Sequence, residues 1–475
     1  MSFEKMDKIF NPKSIAVVGT SANPQSMGHW FFASLLEFGY QGKVFPINLK
    51  QKEILGVKAY PSIQDVPGDV DYVISCIPAT RILELMDGCV GKGVNAIHMF
   101  TARFSETGRK DAAELEQEVL RRAKAANIRI IGPNCMGMYH GKIGIAFTDA
   151  LPHQYGSVGL ITQSGQMAEE VARYGALRNV FFSKIISYGN ALDLNETDFL
   201  DYYTEDPNTK IILMYIEGVR AGRNFFRALQ QAAAKKPVII LKGGRGESGS
   251  RAASSHTASM AGSEAVLESL VPQAGAVWAD DFNGLIDLAV AFSFLPPIKG
   301  NNVGIAGGGG GTSVLAADMC EASGLNVIQI PDEMRQELKS EGSTIWDWIG
   351  NPVDMSIRDS ADFVPGVMLQ KMGHHPDFDF LMALMNDPHH ERQKGMKVEG
   401  YLKQFHIDAL NGKPLLAIVP DKSIGAGEAD HWSWKVLCEI RSAVMEAGMP
   451  VYPTVKRAAV AADKLAAYYR HHDNN

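Results

Sequence analysis

"SIAVVGTSANPQSMGHW", residues 14–30, is the stretch whose reading decides the fold. A short apolar run reaches Gly19, the Thr20-Ser21 pair breaks it, and a helical pattern begins by about Trp30. Strand, glycine turn, helix is how a βαβ unit opens. Its parallel strands are covered on both faces, so they read as continuous apolar runs rather than alternating ones. Moving outward, "KVFPIN", "YVISCIP", "NAIHMF" and "RIIGPN" read as further strands, with the charged helix "RKDAAELEQEVLRRAKAAN" before the last. "LPHQYGS" interrupts the pattern, which restarts at "VGLITQS" and continues through "FFSKIISYG", "KIILMYIEG", "KPVIILKGG" and "GAVWAD". A Pro/Gly/Asn-rich linker, "LPPIKGNN", precedes a second restart at "VGIAGGGGG", followed by "FDFLMALMN" and "PLLAIVP". These restarts predict three tandem α/β units, over residues 8–148, 155–296 and 302–470.

Bulk properties narrow the function classes. The 475 residues are 46% hydrophobic and 21% charged, ample for several cores. A net charge of −7 offers no footprint for nucleic acid. No cationic amphipathic helix and no long apolar run point to a membrane, and "MSFEKMDKIFNPKSIAVVG" lacks the apolar stretch of a signal peptide. Cys76, Cys89, Cys135, Cys320 and Cys438 are scattered, with no CxxC pair. Neither a zinc site nor a disulfide framework is expected, and a reducing, cytoplasmic setting fits.

The first glycine turn is only partly a dinucleotide fingerprint. Gly19, Thr20 and Ser21 can offer amides and hydroxyls to a phosphate, and Gly28 sits near the helix start. A dinucleotide site also wants a carboxylate after the next strand, to hold ribose hydroxyls. Here "KVFPINLK" carries Asn48, flanked by Lys43 and Lys50. That disfavours a nicotinamide-dependent oxidoreductase. Cations suit a ligand with an extra phosphate, such as the adenosine 3′-phosphate of coenzyme A; a plain tight turn with solvated lysines is the alternative.

Two more strands end in glycine turns that open helices. Gln163-Ser164-Gly165 follows "LIT", and five glycines, Gly307 to Gly311, follow "VGIA". A helix start exposes free N–H groups and the positive end of the dipole, so each turn is an anion site or a bland turn. Glu217 follows the strand "LMYI". It is either an exposed loop acid or a carboxylate able to hold one ring nitrogen of a histidine and leave the other nucleophilic. "SRAASSHTASMAGS", residues 250–263, places His256 among small residues that cannot make a core. It is a surface histidine or a mobile nucleophile, and with the helix starts and Glu217 it points to a phosphohistidine.

At these residues the chain resembles the α subunit of the nucleoside-diphosphate-forming acyl-CoA synthetases, relatives of succinyl-CoA synthetase with shuffled domains. "NPKSIAVVGTS", "KVFPIN", "IIGPNCMG", "TQSGQMA", "KIILMYIEGVRAGR", "GRGESGSRAASSHTASMAGS", "AGGGGGTSVLAADMCEASGL" and "GNPVDMS" occur in family order. The resemblance covers about residues 8–357 and is most specific around His256. It implies a Rossmann-like CoA-binding domain followed by two flavodoxin-like CoA-ligase domains. It makes His256 the phosphorylated residue and Glu217 the group that steadies it. It gives the Gln163-Ser164-Gly165 and Gly309-Gly310-Gly311 turns the phosphoryl group. It lines the CoA site with Gly19, Thr20, Ser21, Lys43, Ile77 and Pro78, and sets Asn134 and Cys135 near the thiol. Asn190, in "SYGNALDLNETDF", is expected at the acyl pocket.

The family shows variations that this chain departs from, reading "SHTAS" where SHTG is frequent and only glycines in the third turn; neither change removes a chemical group. Residues 358–475 carry no assignable motif. The implied ligands are coenzyme A, a carboxylic acid or acyl-CoA, and orthophosphate. The sequence shows no ATP-grasp module, so Mg-ADP or Mg-ATP is expected on a separate ATP-grasp β subunit, in a hetero-oligomer. A CoA-binding regulatory protein without catalysis is the competing expectation.

Overall fold

The computed structural model of the chain describes residues 1–249, 264–357, 359–360, 363–386, 388, 393–421 and 430–473. The fold divides into two compact units, Met1–Leu285 and Ile286–Asn475.

The first unit holds two doubly wound sheets. In the first sheet, β1 (Ser14–Val18), β2 (Lys43–Ile47), β3 (Tyr72–Ser75), β4 (Ala96–Met99) and β5 (Arg129–Ile131) are all parallel, in the order β2-β1-β3-β4-β5. β1, β3 and β4 are buried along their whole length, which is why they read as unbroken apolar runs. The strand order reverses between β1 and β3, and a crevice opens beyond the carboxyl ends there. Gly19 enters it with φ +91°, where a Cβ would lie 2.6 Å from the Cys76 carbonyl oxygen. Helix α1 (Met27–Glu37) starts on Ser26, whose hydroxyl accepts the His29 N–H at 3.3 Å. Gly28 lets the first turn of α1 rest on the Gly19 backbone.

The second sheet comprises β6 (Gly137–Tyr139), β7 (Val158–Thr162), β8 (Phe182–Ser187), β9 (Ile211–Ile216), β10 (Val238–Lys242) and β11 (Val277–Ala279), in the order β11-β10-β9-β7-β8-β6. Its five parallel strands repeat the 2-1-3-4-5 order of the first sheet. The sequence does not announce β6, which leaves the end of the first sheet and pairs antiparallel with β8, Tyr139 opposite Ile185. The chain thus passes from the carboxyl end of β5 to that of β8, where Gly137 stands opposite Ser187, before β6 runs back along β8.

The second unit has four parallel strands, β12 (Val303–Ala306), β13 (Phe380–Leu384), β14 (Leu415–Ile418) and β15 (Val451–Tyr452), in that order. Beside β12 stand only two isolated bridges, Asn302 to Asn326 and Ala306 to Val353, where the other sheets have a full strand. Its core gathers Met372, Leu381, Leu415, Leu437 and Val451. Among the described residues no helix is long and apolar enough to cross a membrane.

Candidate active site

The crevice of the first sheet is a cleft of about 540 Å³. Gly19 follows β1, Asn48 and Lys50 follow β2, and Ile77 follows β3; all four line it, with Arg81 beside them. Thr20 is buried, its hydroxyl donating to the Val17 carbonyl at 2.6 Å. The Ser21 hydroxyl pairs with Ser26 at 2.8 Å and so braces the helix start. Asn48 ties the turn together, donating to the Thr20 carbonyl at 2.6 Å and accepting the Lys50 N–H at 2.8 Å. A ribose-binding carboxylate is therefore replaced by an amide that serves the loop. Pro78 precedes the short helix Ala79–Arg81 at the same edge.

Lys43 needs correcting. It pairs with Ser14 at the amino end of β2, a full strand away from Gly19. The lysine at the carboxyl end, where the cleft opens, is Lys50. Parallel strands present all their carboxyl ends to one side, and the direction of β2 decides between two lysines that the sequence offers equally.

Asn134 adopts φ +58°, and its N–H donates to the Thr101 carbonyl at 3.1 Å. Cys135 is buried, its thiol facing the Met99 carbonyl at 3.7 Å, and burial pushes its pKa up. It stays protonated and unreactive as a nucleophile at neutral pH. This loop meets the turn after β8: the Asn190 N–H donates to the Pro133 carbonyl at 3.0 Å, and Gly189 has room for no Cβ against the Asn134 carbonyl. The loop after β5 of the first sheet thus packs on the turn after β8 of the second.

On the second sheet, β7 runs into Gln163 and Ser164, then helix α2 (Gly165–Ala176). The Ser164 hydroxyl accepts the Met167 N–H at 3.3 Å and the Ser164 carbonyl takes that of Ala168 at 3.1 Å. Gly165 and Gln166 are left with amides facing out of the turn. Gln163 is buried and oriented from behind. Its Oε1 accepts the N–H of Glu217 and, at 3.0 Å, that of Gly218. The Nε2 end is what remains for a ligand. Glu217 itself is 8% exposed at the carboxyl end of β9, and the Tyr215 hydroxyl reaches its Oε1 at 3.4 Å. Burial, then the Glu217 charge, raises the Tyr215 pKa to about 12. Lys242 ends the neighbouring β10, paired with Ile216; burial lowers its pKa and Glu217 opposes this.

Three side chains join this loop, two of them without any sequence signal. Glu106 accepts the Asn190 side-chain N–H at 2.9 Å, the Arg220 guanidinium donates to the Asn190 carbonyl at 2.5 Å, and Glu196 accepts the Arg220 N–H at 3.0 Å. Only tertiary structure pairs residues so far apart in the chain. Arg220 alone was within reach, three residues past Glu217 in the same glycine-bearing loop.

His256 lies outside the described residues. In the second unit, Gly307 turns with φ +120° and its carbonyl accepts the Asn386 amide at 2.8 Å. Gly309 caps helix α3 (Gly310–Glu321), so Gly310 and Gly311 form its first turn, and Asp354 stands 3.0 Å from where a Gly310 Cβ would be.

Comparison with known proteins agrees with this chemistry. Residues 13–141 match the CoA binding domain family, and residues 155–292 match the succinyl-CoA ligase like flavodoxin domain. The α subunit of ADP-forming acetate–CoA ligase II from Pyrococcus furiosus is 36% identical over 416 residues, 87% of this chain and 89% of that one. The α subunit of the same organism's ligase I is 32% identical and covers 98% of this chain and 97% of its own. Among solved structures, the dinucleotide forming acetyl-coenzyme A synthetase 1 of Ca. Korarchaeum cryptofilum, in complex with phosphate and ADP, superposes with a TM-score of 0.82. That protein is 31% identical, covering 98% of this chain and 97% of that chain. By these matches, which run through both sheets of the first unit and on into the second, the chain belongs to the α-subunit family of the ADP-forming acetate–CoA ligases.

Proposed function

We propose that this chain carries the acyl-transfer and phosphohistidine steps of a nucleoside-diphosphate-forming acyl-CoA synthetase. The observation that carries the reading is the clamp of Gln163 on the Glu217 backbone at the carboxyl ends of β7 and β9. It fixes a carboxylate and an amide donor side by side, next to a helix start. Coenzyme A fits the first cleft: Gly19 keeps the backbone open to a phosphate, and Lys50 supplies the cation at the right end of β2.

An orthophosphate oxygen attacks the thioester carbonyl, the C–S bond breaks, and the sulfur leaves as thiol. The resulting acyl phosphate is held by Gln163 Nε2 and the amides of Gly165 and Gln166. His256 then attacks phosphorus, and the P–O bond to the acyl group breaks to release a carboxylate. Glu217 receives the other ring N–H and offsets the charge on the imidazole. The phosphoryl group passes next to ADP on an ATP-grasp β subunit, in a cytoplasmic hetero-oligomer; the reverse direction activates the acid. The Gly309-Gly310-Gly311 turn offers the same kind of amide seat for a phosphoryl group. A CoA-binding protein without catalysis has no use for Glu217 set behind such a seat.

The test uses the purified full chain with acetyl-CoA and labelled orthophosphate. Acid-labile label should appear on the wild type and vanish in His256→Ala. No label on the wild type, or equal label on the variant, overturns the reading.

A further inference from the structure

We propose that Arg220 is an anion-binding fork of this site, taking two oxygens of the phosphoryl group that reacts beside Gln163; this rests on the function proposed above. Arg220 lies two residues past Gly218, the second amide that Gln163 holds. Its own N–H is held at 3.0 Å by Glu196, a carboxyl 1% exposed, so the loop is fastened at both ends by buried side chains. Its guanidinium is anchored by Nη2 on the Asn190 carbonyl oxygen at 2.5 Å. That carbonyl is rigid in turn: the Asn190 N–H is on Pro133 at 3.0 Å and its side chain is on Glu106 at 2.9 Å.

The anchor is a neutral carbonyl. A guanidinium has five N–H donors in a planar fork, and one bond to a carbonyl leaves the charge and the rest of the fork available. The Arg220 side chain is exposed while Glu217 and Gly218 beside it are buried, so it is the cation on the open face of this loop. Burial, then the Glu196 and Glu217 charges, raises the pKa of the buried Tyr188 phenol, and the Arg220 charge opposes this. An anchored arginine loses less freedom when it binds, which favours a specific anion over a diffuse one.

A carboxylate has the same two-oxygen chemistry. The phosphoryl group is favoured because the free amides of Gly165 and Gln166 and the Nε2 of Gln163 belong to the same turn. Asn190 serves here through its backbone: its carbonyl sets the fork. The Asn190 Oδ1 is buried and has no hydrogen-bond partner among the described residues.

Calorimetric titration of the full chain with orthophosphate, acetate and coenzyme A tests this in wild type, Arg220→Ala and Arg220→Lys. Orthophosphate affinity should fall about ten- to hundredfold in Arg220→Ala, the scale of a charge-assisted contact. Arg220→Lys should fall between, keeping charge without the fork. Millimolar guanidinium should restore part of the affinity in Arg220→Ala, which a merely structural role would not allow. Coenzyme A affinity should stay within about twofold throughout. The proposal is overturned by unchanged orthophosphate affinity, by no orthophosphate binding to the wild type, by joint loss of orthophosphate and coenzyme A, or by a loss confined to acetate. Arg220-dependent orthophosphate binding with no label on His256 would leave this inference standing and remove the function proposed above.

Discussion

At the scale of the residue, Gln163 does two jobs that substitution can separate. Its Oε1 is committed to the backbone of Glu217 and Gly218, and under the function proposed above its Nε2 donates to the ligand. Gln163→Glu keeps acceptors for both N–H groups but replaces the donor with a negative charge. Its thermal midpoint should stay near wild type while acetyl-CoA-dependent labelling of His256 falls at least about tenfold. Gln163→Ala leaves two buried N–H groups unpaired at about 1–3 kcal/mol each, so its midpoint should fall as well, by calorimetry. Equal midpoints for the two variants would show that the clamp does not matter to the fold. The sequence showed Gln163 as part of an anion turn, but not as the orienter of Glu217, because that bond joins residues 54 apart. A second residue-scale case is structural. Lys184 and Asp206 form an ion pair at 2.7 Å, 1% and 2% exposed, with Thr209 also on the carboxylate. Burial raises the Asp206 pKa, but the Lys184 and Thr209 hydrogen bonds outweigh it and the net direction is down. A carboxyl depressed in the folded state stabilises above its unfolded pKa of about 3.9, and that stability is lost as pH falls through the folded value. Asp206→Asn strands a buried ammonium and should cost about 3–5 kcal/mol at neutral pH by urea unfolding. The difference from wild type should narrow below about pH 4; a constant difference across that range would refute the pairing.

At the scale of the element, turn and helix start are one device. Gly19 and Gly28 touch through backbone atoms, so neither partner can yield as a side-chain tip would. Gly28→Ala should displace the first turn of α1 from Gly19, costing about 1–3 kcal/mol, with coenzyme A affinity falling by titration. Gly91→Ala is the control: it sits at φ +81° with open space around it, so it bears backbone strain without touching the cleft, and coenzyme A affinity should hold. Equal affinity loss in both would mean that the first sheet fails generally rather than at the turn. Most elements were legible because parallel strands covered on both faces announce themselves as apolar runs, as "KIILMYIEG" does for Ile211–Ile216. β6 was not, since three residues, Gly-Met-Tyr, carry no period. Lys43 was misplaced for a related reason: "KVFPINLK" has a lysine at either end, and only strand direction says which end faces the cleft.

At the scale of the whole molecule, both sheets of the first unit set their glycine turns at carboxyl ends, and the loop after β5 meets the loop after β8 through Pro133 and Asn190. The cleft of the first sheet and the Gln163 turn of the second both lie within Met1–Leu285. The five- and six-stranded sheets both reverse their strand order, while the four-stranded sheet of the second unit runs in sequence order. The α-subunit relatives align along most of their length with this chain, and under the function proposed above the nucleotide step falls to a partner. This division predicts two separable activities. The full chain alone should exchange labelled coenzyme A into acetyl-CoA when orthophosphate is present, because under the function proposed above that exchange needs only groups of the first unit. It should form no ATP from acetyl-CoA, orthophosphate and Mg-ADP until an ATP-grasp subunit is added. Exchange should survive His256→Ala, since acyl phosphate forms before the histidine acts, whereas ATP formation with the partner should be abolished. ATP made by the chain alone would place a nucleotide site on these residues. Loss of exchange in His256→Ala would mean that the histidine takes part before acyl phosphate exists, and the order of steps would have to be reversed.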